Sequence, residues 1–89
     1  MDLREIITAD TVNGLLDKYK VPHDRKPVLV DIIALYLQYN DDPSEFGKRA
    51  REYTVIHGVD PATANAALSI FRNVRNDLQG IVKKAAQDS

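Results

Sequence analysis

The 89-residue chain contains no cysteine, which excludes disulfide frameworks, thiolate zinc sites and cysteine nucleophiles. It also lacks any run approaching 18 consecutive apolar residues, so no segment reads as a membrane span. The opening residues, Met-Asp-Leu-Arg-Glu, mix charges where a secretory leader needs a basic start and an apolar stretch. An intracellular, cytoplasmic protein with no membrane association is expected. Strand signals are scarce as well: β-branched residues do not alternate at period two, and no Asn-Gly or Asp-Gly turn lies between such runs. There is no internal repeat, low-complexity tract or linker. At 10.0 kDa the chain has room for one domain, residues 1–89, with residues 1–2 and 87–89 expected to fray.

What is present is helix punctuation. Leu3, Ile6 and Ile7 precede Thr8-Ala9-Asp10. Val12, Leu15, Leu16 and Tyr19 then draw one apolar stripe. Asp10 is the expected N-cap of that second piece. The pattern leaves open one bent helix or two short ones, and whether residues 2–10 pack on the core or bind a partner. After Val21-Pro22-His23-Asp24, where Asp24 is positioned to cap, residues 28–39 are apolar around most of the circumference. Such a helix needs neighbours on several sides, so it is expected to be central.

Asp42-Pro43-Ser44-Glu45 is the clearest start signal, with a cap, a proline in the first turn and an acid three residues after the cap. His57-Gly58 is a stop, and Asp60-Pro61 a second start. Apolar positions 64, 67, 71, 74, 78, 81 and 85 then alternate spacings of three and four, a heptad seam on a long last helix. The expected fold is a single all-α bundle of four main helices, its N-terminal helix broken near Thr8–Asp10.

No catalytic constellation emerges, and enzymatic activity is not expected. His23 and His57 sit in no pattern that pairs a base with a nucleophile. Asp41, Asp42 and Glu45 cluster, but helix capping accounts for two of the three, and neither a metal nor another cofactor is expected.

Charge is more informative. Residues 1–47 carry five basic side chains against nine acids, whereas residues 48–89 carry seven against four. Antiparallel packing of the last two helices about Gly58 would gather Lys48, Arg49, Arg51, Arg72 and Arg75 into one basic face. Arginine forks bind carboxylate or phosphate with paired hydrogen bonds. The expected function is a small protein–protein binding module, an adaptor or regulator docking on an acidic protein surface. The bland alternative is an ordinary solvated face.

Two other readings are weighed. The turn at Gly58 has the local grammar of a helix-turn-helix, so a nucleic-acid-binding regulator is the first alternative. Asp60, Ala62, Thr63, Asn65 and Ala66 at the start of the would-be reading helix carry no positive charge, which counts against it. The second is a homodimer through the last helix, with Phe71, Val74, Leu78, Ile81 and Val82 as its seam. Tyr36 and Tyr39 are expected at the rim of the core, ring inside and hydroxyl in water.

Overall fold

Each helix starts and stops where a local group satisfies its orphan amides or carbonyls. The computed structural model describes residues 3–88, in the order α1 (Leu3–Ile6), α2 (Ala9–Lys18), α3 (Lys26–Gln38), α4 (Pro43–Ile56) and α5 (Pro61–Asp88). The domain is all-α, four helices preceded by the single turn α1, and no strand occurs among the described residues.

The expected break falls at Ile7-Thr8, but the cap of α2 is Thr8 and not Asp10: the Thr8 side chain accepts from the Thr11 amide. Asp10 stands in the first turn, where its charge meets the positive end of the helix dipole. Asp24 does not cap α3 either. The carbonyl of Pro22 accepts from the amides of both Arg25 and Lys26, so the helix is entered from a backbone turn that needs no side-chain cap. Asp42 caps α4 through the Glu45 amide, and Asp60 accepts from the Thr63 amide at the start of α5, both as expected.

α2 and α4 end alike. The amides of Lys20 and Val21 return to Asp17 and Leu16, and those of Gly58 and Val59 to Val55 and Thr54, a paired closure that needs a left-handed residue. Gly58 adopts it at φ +61, without the Cβ clash that a side chain brings. Lys20 adopts it at φ +51, a strain of about 1 kcal/mol. Burial of Val21 and Leu16 in the core offsets that strain.

α5 is the mast of the fold. At 1.5 Å per residue its 28 residues span about 42 Å, matching the longest dimension of the molecule, 41 Å. α1, α2 and α3 all pack on it, while α4 packs chiefly on α3. α3 therefore shares the centre with α5 and does not hold it alone. The core is Ile7, Leu15, Leu16, Val21, Leu29, Ile32, Ile33, Ala67, Phe71, Val74 and Leu78. Ile7 is buried and Ile6 packs on the core, so the N-terminal segment belongs to the bundle. α5 continues through Gln87 and Asp88 where fraying was expected, and Met1, Asp2 and Ser89 lie outside the described residues.

Candidate functional site

Phe46 lies 12 residues before Gly58 and Phe71 lies 13 after it, yet their ring centroids are 5.4 Å apart. The two rings bridge α4 and α5 about 18 Å along each arm from the turn, although α4 packs chiefly on α3. Tyr36 completes the contact, with its ring 5.8 Å from Phe46 and 5.7 Å from Phe71, so three helices meet at three aromatic edges. Tyr36 and Tyr39 are both half-buried, as a rim position requires.

The Gly58 turn does not bring all five basic residues together. Arg49 turns toward α3: its Nε donates to Glu45 Oε1 at 2.7 Å, its Nη1 lies 3.9 Å from Glu52, and its guanidinium covers the Tyr39 ring at 5.6 Å. The Glu45 hydrogen bond raises the Arg49 pKa, with Tyr39 adding to it. Lys48 and Arg51 occupy the outer stripe of α4, which continues to Val55. Arg72 is exposed on α5, and Arg75 borders a hollow with Tyr36, Tyr39, Asn40 and Pro43. Among the described residues none of Lys48, Arg51, Arg72 and Arg75 has a carboxylate within 4 Å, whereas Lys18, Lys26 and Arg49 each do. The same geometry accounts for the acidic cluster: Asp42 caps α4 and Glu45 binds Arg49. No group of three or more metal-ligating side chains is assembled among the described residues. His23 is an exposed loop residue, and His57 ends α4 with its ring 4.3 Å from that of Tyr53.

The seam of α5 is largely consumed by the fold. Phe71, Val74 and Leu78 are 3%, 0% and 0% exposed, and Ile81 and Val82 pack against the core. Leu15 and Lys18 of α2 line one hollow with Asp77, Ile81 and Lys84, so the C-terminal half of α5 covers the N-terminal segment. A homodimer through the three buried residues requires opening the bundle.

Two tyrosine–aspartate clamps hold the helices in place, and no local pattern around any of the four residues announces them. Tyr19 and Lys18 of α2 both donate to Asp77 Oδ2 of α5, at 2.8 and 2.9 Å. The hydrogen bond from Lys18, then that from Tyr19, holds the Asp77 carboxyl below its ordinary range. Tyr53 of α4 donates to Asp31 Oδ2 of α3 at 2.6 Å. Burial, and then that bond to a carboxylate, push the Tyr53 phenol up to about 12.

The Tyr53 shift sets the alkaline behaviour. A phenol whose folded pKa exceeds its unfolded value of about 10 contributes stability that is complete below pH 10 and lost as pH rises toward 12. Urea midpoints measured from pH 8 to 11 are expected to fall above pH 10, and Tyr53→Phe to flatten that fall. Tyr19, also raised, chiefly by its bond to Asp77, acts in the same direction. An identical pH slope in the variant and the parent would show that the Tyr53 clamp carries no weight.

The α3 helix departs most from expectation. Its inner side, Leu29, Ile32 and Ile33, is fully buried, but Val30, Asp31, Ala34 and Gln38 form an exposed outer ridge. α5 backs the helix and α2 and α4 flank it, which leaves the fourth side open. A groove of about 520 Å³ between α3 and α4 is lined by Asp31, Ala34, Leu35, Gln38, Arg49, Glu52, Tyr53, Ile56 and His57. A second groove, between α2 and α3, is lined by Ala9, Val12, Asn13, Val30, Ile33, Ala34 and Leu37. Ala34 borders both. Among the described residues no helix is long and apolar enough to cross a membrane. No family model, curated protein or solved structure significantly matches this chain.

Proposed function

We propose that this chain is a small docking module, an adaptor or regulator that binds an acidic protein surface through the outer sides of α4 and α5 and acts without chemistry of its own. The observation that carries this reading is the set of exposed cations, Lys48, Arg51, Arg72 and Arg75, that no internal carboxylate neutralises. Arg49 drops out of the contact set because Glu45 and Glu52 already hold it. Val55, 80% exposed, stands one turn beyond Arg51 and offers an apolar anchor at the end of the cationic stripe. Rim charges steer encounter and a desolvated aliphatic anchor slows dissociation, so the two together suit protein recognition better than either alone.

The test is a comparison of lysate capture by the parent chain and by an Arg51→Glu, Arg72→Glu variant, with nuclease present. Both positions are exposed, so the fold is expected to survive the reversal. A protein retained by the parent through nuclease treatment and reduced at least about tenfold in the variant supports the reading. Equal retention by the two chains would reject the cationic face. Capture that disappears with nuclease would transfer the same arginines to a phosphate backbone, with a steep salt dependence.

A further inference from the structure

We propose that the outer face of α3 is a two-fold interface with a second copy of this chain, the two α3 helices running antiparallel across Ala34. The face is apolar where a helix contact needs it to be. Val30, Val55 and Ile56 are the large hydrophobic residues left exposed among the described residues, and two of them border the grooves that flank Ala34: Val30 on the α2 side and Ile56, 76% exposed, on the α4 side. Val30, Ala34 and Gln38 follow one another at four-residue intervals, which is the ridge that seats in a neighbour's groove when helices pack. The alanine at the middle of that ridge permits close approach.

Charge selects the occupant. Around the N-terminal end of α3 stand Lys20 and Arg25 against Asp24, while Lys26 and Asp17 form an ion pair at 3.6 Å, which leaves that end net cationic. At its C-terminal end stand Asp41 and Asp42; Arg75 borders the hollow beside Asn40 and Pro43, and Arg49 is held by Glu45 and Glu52. Among the described residues Arg25 has no carboxylate partner, and its Nε is a buried donor without a hydrogen bond. A two-fold axis across α3 sets the cationic end of one copy against the acidic end of the other, twice. A parallel arrangement would oppose acid to acid, and a uniformly acidic surface would be repelled by Asp41 and Asp42. A face of opposite sign at its two ends complements itself, as an isologous contact requires.

The interface is opposite the side of α3 that packs on α5, so Arg72 and Arg75 remain outward. The dimer then presents two copies of the cationic docking face, and a partner with repeated acidic sites gains avidity from both.

Sedimentation equilibrium on the parent chain from about 1 μM to 1 mM is expected to show a concentration-dependent dimer. Ala34→Arg is expected to give a monomer of unchanged helicity, because position 34 is exposed. Asp41→Lys should weaken the dimer at least about tenfold, and adding Lys26→Glu to it should restore much of the loss by exchanging the two ends' signs. A parent chain that stays monomeric to 1 mM overturns the proposal and leaves the face to a different protein. So does a dimer that persists in Ala34→Arg, which would place the contact elsewhere. Arg51→Glu, Arg72→Glu is expected to leave the dimer intact, so failure of docking and failure of dimerisation are read separately.

Discussion

Leu78→Ala is expected to destabilise the domain by about 3–5 kcal/mol, the largest effect of any single substitution considered for this chain. Leu78 is completely buried in the core, next to Asp77, which binds Lys18 and Tyr19 of α2. Truncation removes the transfer free energy of three carbons and leaves a cavity that the surrounding core only partly fills. A domain of 89 residues has about 4–13 kcal/mol to lose, so the variant approaches the limit of folding. Urea denaturation followed by far-ultraviolet circular dichroism is the measurement. The loss should be independent of protein concentration, because Leu78 is covered by its own chain. A loss below 1 kcal/mol, or one that appears only at high concentration, would restore the reading of positions 71, 74 and 78 as a contact between chains.

That contrast shows what the sequence could and could not convey. The heptad spacing of α5 correctly marked an apolar seam, yet spacing is silent on whether the cover is intramolecular. Covalent order was more informative than periodicity here. The Gly58 turn brings Phe46 and Phe71 into contact, although α4 lies chiefly on α3. Start and stop signals carried by a few consecutive residues, Asp42-Pro43, Gly58 and Asp60-Pro61, were legible because capping is a local reaction. Asp10 and Asp24 misled for the same reason, since a threonine hydroxyl two residues earlier and a backbone turn at Pro22 satisfied the amides first.

Contacts between distant residues were out of reach. Tyr19 and Asp77 are 58 positions apart, and nothing local to either announces the other. The open side of α3 was equally hidden. An all-round apolar helix implies cover on all sides, but among the described residues α3 has neighbours on three, and its fourth side carries Asp31 and Gln38 beside Val30 and Ala34. Of the five basic residues proposed from charge alone, Arg49 was lost to Glu45 and Glu52 because pairs at three and four residues are satisfied before any distant partner arrives.

The second large effect concerns α4, which carries part of the proposed docking stripe and buries little of its own surface. Ala50 is its one buried residue among those described, and the helix is otherwise held by Phe46 and by the Tyr53–Asp31 bond. Phe46→Ala removes the ring that contacts both Tyr36 and Phe71. Because Phe46 is half-buried, the expected cost is about 2–3 kcal/mol, at or below the lower end for phenylalanine truncation. The loss should be uneven. Elements with few buried contacts open before the global transition, so amide exchange is expected to accelerate through residues 43–56 while α3 and the middle of α5 keep their protection. Phe46→Leu, which refills most of the volume, should recover more than half of the stability. Uniform acceleration over all helices would show that α4 is fully cooperative with the core. Selective acceleration would show that the cationic stripe rides on a helix that can detach, so that docking by Lys48 and Arg51 weakens in Phe46→Ala although neither residue is altered.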